Sequence, residues 1–162
     1  MEAMDTQKAE RVWSRVMGTQ NAAAERCAQE TEGSLPPQKL LSLIRAERNT
    51  AACYRKLACM LSGCARKTLF QMAEQELCHA KKFAALYFLA TGKKACVGKA
   101  EGCCVTCVND SLRQLYRQEL NEETAYRELA GQAGERACTM QQIADDEHCH
   151  AGKIYQILQG IL

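Results

Sequence analysis

The sequence predicts an all-α protein: a four-helix bundle with a long connection between its second and third helices, preceded by an N-terminal helical extension. Three observations carry this. Ala, Leu, Glu, Gln, Lys and Arg dominate a chain with two prolines and few aromatics, a helix-forming composition. Apolar residues recur in steps of three and four along four long segments, the spacing of one helix face. One pattern also occurs twice. Glu47-x-Asn49-x-x-x-x-Tyr54-Arg55-x-Leu57-Ala58 matches Glu119-x-Asn121-x-x-x-x-Tyr126-Arg127-x-Leu129-Ala130. Each copy is followed by Ala-x-x-Glu-x-Cys-His-Ala, at Ala73–Ala80 and at Ala144–Ala151. The chain therefore reads as two copies of one helical hairpin, and its 162 residues suffice for one domain with a sizeable core.

The elements follow in order. Residues 6–29 can form a helix with Val12, Trp13, Val16 and Met17 as a short apolar stripe. ETEGSLPP, residues 30–37, breaks it, so residues 1–33 form an N-terminal extension and residues 34–162 the bundle domain. The proline pair can open the next helix, which runs from about Pro37 to Leu61. Ser62-Gly63 turns the chain, and the second bundle helix runs from about Arg66 to Ala90. Residues 91–109 are rich in Gly, Lys and Cys and carry no helical period. The third helix starts near Asp110, a residue suited to the N-cap, and ends near Ala130. Gly131 and Gly134 mark the turn before a fourth helix that reaches the C-terminus.

Acids and imidazoles interrupt every apolar stripe. The first helix reads Leu40, Leu43, Ile44, Glu47, Ala51, Tyr54, Leu57, and the second Leu69, Met72, Glu76, His79, Phe83, Tyr87. The third reads Leu112, Leu115, Glu119, Glu122, Tyr126, Leu129, and the fourth Met140, Ile143, Glu147, His150, Ile154. Burying an ionised carboxylate without a partner costs at least several kcal/mol, and these stripes hold no Lys or Arg. Divalent cations can neutralise them instead. The depths agree: Glu47 and His79 are equidistant from Gly63, and the midpoint of Glu119 and His150 falls beside Gly134. At about 1.5 Å per residue, each hairpin sets its Glu level with its Glu-x-x-His, about 20–24 Å from the turn. The connection over 91–109 can extend about 60 Å, enough to run the length of a bundle of roughly 35 Å.

With these residues in place, the chain resembles a rubrerythrin-type member of the ferritin-like di-iron superfamily over residues 37–160. A Glu on the first helix, Glu-x-x-His on the second, Glu-x-x-Glu on the third and Glu-x-x-His on the fourth are the matching motifs. They fall on Glu47, on Glu76 and His79, on Glu119 and Glu122, and on Glu147 and His150. The resemblance implies a ferritin-like bundle with the long connection as a crossover, binding two iron ions, with manganese, or zinc as isolated, as alternatives. It implies peroxide reduction, with Glu76 and Glu147 as bridging carboxylates, His150 as a firm ligand, and Glu122 and His79 exchanging on one iron. Carboxylate and imidazole donors suit such metals on chemical grounds as well. Tyr54 and Tyr126, two turns beyond Glu47 and Glu119, are candidates to hydrogen-bond ligand carboxylates; core tyrosines with satisfied hydroxyls are the plainer reading.

The chain departs from the pattern by lacking a rubredoxin module, so an external electron donor, a rubredoxin or a reductase, is expected. Cys96, Cys103, Cys104 and Cys107 lie in the connection, as a surface thiol cluster open to disulfide formation or, less simply, a four-thiolate metal site or an electron-relaying dithiol. Cys78 and Cys149, just before the two ligand histidines, are expected as small buried packing residues, with His148 exposed and Glu123 facing solvent. A net charge of +2 gives no electrostatic case for nucleic acid or membrane partners. The N-terminus lacks the layout of an export signal and no apolar run spans a bilayer, so a cytoplasmic protein is expected. The resemblance implies hydrogen peroxide or dioxygen as the oxidant, and a homodimer is expected. A ferroxidase or iron-handling protein and an oxygen-activating hydroxylase are the alternative functions.

Overall fold

A computed structural model describes residues 35–161. The expected helix over 6–29 lies outside the described residues. Four helices follow in order: α1 Pro37–Met60, α2 Gly63–Thr91, α3 Val108–Ala130 and α4 Ala137–Ile161, with a single 3-10 turn, Gly134–Arg136, before α4. No strand occurs among the described residues. The described residues form a four-helix bundle in which α1 packs mainly on α2 and α3 on α4, the two hairpins read from the repeat.

The ends of the helices follow local chemistry. Pro37 sits in the first turn of α1, where its missing N–H costs nothing. At the end of α2, Gly92 adopts φ +67° and donates its N–H to the Phe88 carbonyl at 2.7 Å. Only glycine takes that left-handed conformation freely, so the helix stops there. α3 begins at Val108, two residues before the expected start, with Cys107 as its N-cap. Asp110 is therefore not the cap. It lies inside the first turn, where its charge still complements the helix dipole, and it pairs with Arg113 at 3.1 Å.

Residues 92–107 are not helical, yet they are tied down along α1. Arg48 Nη1 donates to the Val97 carbonyl, the Glu101 N–H to Asn49 Oδ1, the Cys103 N–H to Cys53 Sγ, and Lys56 Nζ to the Cys103 carbonyl. The segment thus runs beside α1 from its middle toward its C-terminal end.

The interior has two apolar halves. Ala51, Tyr54, Leu57, Leu69, Met72, Leu112, Leu115 and Ile154 form one; Leu40, Ile44, Phe83, Tyr126, Met140 and Ile143 form the other. Each such Leu, Ile or Phe contributes about 1.5–3 kcal/mol by leaving water. On every helix, the residues between the two halves are the acids and histidines of the stripes: Glu47, Glu76 with His79, Glu119, and Glu147 with His150. The core is thus a polar layer held between two apolar ones. No helix among the described residues is long and apolar enough to cross a membrane.

Candidate metal centre

Each helix contributes to the layer because its apolar stripe turns that face inward. Glu47, Glu76, His79, Glu119, Glu147 and His150 are all at most 1% exposed. They form two overlapping groups, Glu47, Glu76, His79 and Glu147, and Glu76, Glu119, Glu147 and His150. In each group, one ligand atom per residue lies within 4.8 Å of all the others. Donors at about 2.1 Å from an ion stand up to about 4.2 Å apart, so each group is close to the size one cation needs. Glu76 and Glu147 belong to both.

Hydrogen bonds across the two hairpins aim these groups. Tyr126 on α3 donates to Glu47 Oε1 on α1, and Tyr54 on α1 donates to Glu119 Oε1 on α3. The second oxygen of each acid, Oε2, is buried and has no hydrogen-bond partner. His79 Nδ1 lies 3.0 Å from Glu147 Oε1, 3.4 Å from Glu76 Oε2 and 3.8 Å from Glu47 Oε2. His150 Nδ1 lies 2.8 Å from Glu76 Oε1, 3.0 Å from Glu147 Oε2 and 3.6 Å from Glu119 Oε2. Apart from the contact of His150 with Glu147, these approaches are close but not aligned as hydrogen bonds. Both Glu76 oxygens, Glu147 Oε1 and His79 Nδ1 therefore have no hydrogen-bond partner. Buried polar atoms are paired almost without exception in folded proteins. Donors that converge without facing one another are arranged for a cation between them, and the set of carboxylates with imidazole can hold one in each group.

The electrostatics lead to the same view. Burial pushes the Glu47 and Glu119 carboxyls well above their ordinary range, with neighbouring acids adding to it. Burial also acts on Glu76, but the imidazoles of His150 and His79, 2.8 and 3.4 Å away, outweigh it and hold that carboxyl down to about 2. Burial alone would push the histidines down. The close carboxylates of Glu119, Glu147 and Glu76 instead bring His150 up to about 11, and those of Glu147, Glu47 and Glu76 hold His79 well above its usual range. With protons as the only cations, the two imidazoles become the counter-ions of the layer. Among the described residues, no Lys or Arg pairs with any of its carboxylates.

Glu122 stands beside the layer and outside both groups. Gln118 Nε2 donates to Glu122 Oε1 at 3.1 Å and to Thr50 Oγ1 at 2.7 Å, linking Glu122 to the residue at its matching position on α1. Glu122 Oε2 is buried without a partner, and burial pushes this carboxyl up to about 8.

Two residues went unnoticed in the sequence. Asp146 Oδ2 is 3.0 Å from His79 Nε2, and Gln75 Oε1 is 3.1 Å from His150 Nε2. Each precedes the Glu of one Glu-x-x-His and holds the histidine of the other hairpin. Their equivalent places in the repeat, next to a ligand, were the available signal.

Other expectations need correcting. Cys78 and Cys149 are exposed, not buried packing residues. A side chain about 100° round a helix from the inward stripe leaves the interior of a four-helix bundle. His148 is exposed as expected, but Glu123 does not simply face solvent: Arg127 and His148 hold it, each at 3.0 Å. Cys96, Cys104 and Cys107 are exposed and Cys103 half-buried. Among the described residues these four join no close grouping of metal-ligand atoms.

Comparison of the chain with protein-family models, with curated proteins and with solved structures gave no match.

Proposed function

We propose that this chain is a di-iron oxidoreductase of the ferritin-like carboxylate type, rubrerythrin-like in its site, which reduces hydrogen peroxide with electrons from an external donor. One observation carries the reading: two buried groups, each of three carboxylates and one imidazole, share Glu76 and Glu147 in the middle of a four-helix bundle. The course of residues 92–107 along α1 supports the crossover layout of ferritin-like bundles. Bound there, a ferrous pair supplies two electrons to an O–O bond.

The chain's own residues supply the rest. Glu47, Glu76, His79 and Glu147 would hold one ion, and Glu76, Glu119, Glu147 and His150 the other. Tyr126 and Tyr54 occupy one oxygen of Glu47 and of Glu119, which leaves Oε2 of each for an ion. Burial of the whole layer keeps out bulk water and any large organic substrate, which favours an oxidant of a few atoms over the substrate of a hydroxylase. A cavity of about 450 Å³ near the first turn, between Leu61, Thr68 and Ile157, is lined by none of the layer's residues. Reducing a peroxide to two waters takes up two protons with the two electrons. Burial raises the Glu122 carboxyl to about 8 in the metal-free layer, and its unpartnered Oε2 makes it the side chain placed to deliver one of these protons to the departing oxygen.

Anaerobic loading with ferrous iron, followed by rapid mixing with peroxide or with dioxygen, tests the reading. Peroxide is expected to oxidise the loaded protein faster. Faster oxidation by dioxygen would indicate a ferroxidase and overturn the peroxidase assignment.

A further inference from the structure

The two groups of ligands are alike in composition, but the residues behind them are not. Each group has three carboxylates and one imidazole, two of the carboxylates are common, and each remaining carboxylate accepts from a tyrosine. The difference lies at the far nitrogen of each histidine. His79 Nε2 meets the carboxylate of Asp146 at 3.0 Å. His150 Nε2 meets the amide oxygen of Gln75 at 3.1 Å, and Lys153 Nζ donates to that same oxygen at 3.2 Å. One imidazole thus donates to a full negative charge. The other donates to a neutral oxygen already shared with an ammonium group.

A carboxylate on the distal N–H of an imidazole makes the proximal nitrogen a more basic donor, and losing such a partner typically weakens metal binding about 10–100-fold. An amide oxygen polarised by Lys153 has less electron density to offer. The extra charges act the same way: Asp146 adds a negative charge beside one group and Lys153 a positive charge beside the other. Glu122 does not offset this, being outside both groups and held by Gln118.

We infer that the two cation positions are unequal: the position at His79 fills first and more tightly, and Asp146 is the positioning residue responsible. The inference rests on the proposed metal centre. Asp146 acts through the imidazole of His79 and not on the ion itself. Its side chain is 39% exposed, so a polar replacement there does not disturb the core.

The test is a titration of the metal-free protein with cobaltous ion, followed by calorimetry and by the visible bands of the bound ion. The expected result is two steps separated by about 10–100-fold in affinity. Asp146→Asn, which places an amide behind both histidines, should bring the steps to within a few-fold of each other. His150→Ala should keep the tighter step and lose the weaker one; His79→Ala should do the reverse. A thermal melt of each metal-free variant checks that it folds. Two steps of equal affinity in the unaltered protein, or a tight step untouched by Asp146→Asn, overturn the inference while leaving the metal centre in place. Failure of the unaltered protein to take up any cobaltous ion overturns the metal centre itself, and the inference with it.

Discussion

Replacing Tyr126 with Phe keeps a buried ring and deletes one oxygen. The ring is 2% exposed and stacks on Phe83 with centroids 5.6 Å apart, so the apolar packing survives. What disappears is the O–H donated to Glu47 Oε1 across the two hairpins. A hydrogen bond to a charged group contributes about 1.5–3 kcal/mol, and one between neutral groups about 1 kcal/mol. With cations bound, Glu47 is ionised and the larger figure applies. Without them, burial keeps a proton on Glu47 and the smaller figure applies. Tyr126→Phe should therefore cost about 2 kcal/mol in the loaded protein, roughly 6–10 °C in Tm for a domain of this size, and about half that in the metal-free form. Urea and thermal unfolding with and without manganous ion measure both values. Tyr54→Phe should behave alike through Glu119. A loss below about 0.5 kcal/mol in the loaded form, or equal losses in the two forms, would refute the assignment of these tyrosines to ligand carboxylates.

Three further outcomes follow from the geometry. Glu147→Ala, which removes a carboxylate common to both groups, should abolish binding of both ions and lower stability, whereas Glu119→Ala should spare one; metal analysis after dialysis separates these. Glu122→Gln should leave two ions bound but slow oxidation of the ferrous protein by peroxide about 100-fold or more, read by rapid mixing, since an amide cannot deliver the proton that a carboxyl can. The metal-free protein should lose stability as pH rises. Glu122 and His150 have folded values of about 8 and 11, above their ordinary 4.5 and 6.5. Their contributions are therefore complete below those ordinary values and fade as pH climbs through the folded ones. Glu76, held at about 2, acts oppositely and only in acid, losing its contribution as pH falls from 4.5 through that value. Added manganous ion should reverse the trend, because cations displace the imidazolium protons more easily at higher pH; unfolding at about pH 5 and about pH 9 compares the two.

Much of this bundle was legible before any coordinates. Steps of three and four put Leu40, Glu47 and Tyr54 on one face, and the same stepping on α4 aligned Met140, Glu147 and Ile154. Equal arm lengths about Gly63 fixed the depth at which Glu47 meets His79. The features that escaped depend on how one hairpin sits against the other. That Tyr54 reaches Glu119 and Tyr126 reaches Glu47 is a crossed arrangement no single-helix pattern encodes. Asp146 and Gln75 lie off the inward stripes, and only the packing of α2 against α4 brings each to a histidine. Cys78 and Cys149 look identical in the repeat to small core residues, and only the width of the interior puts them outside. The start of α3 was misplaced because Asp110 is a good cap by type, yet Cys107 already has the extended backbone that a cap requires.

The central claim is that cations belong between these side chains. Crystals grown with manganous ion and measured at a wavelength where manganese scatters anomalously test it most directly. Two peaks about 3.5–4 Å apart are predicted, both touching Glu76 and Glu147, one beside His79 and the other beside His150. A map with no peak in this layer, its carboxylates balanced by imidazolium protons alone, would contradict the account.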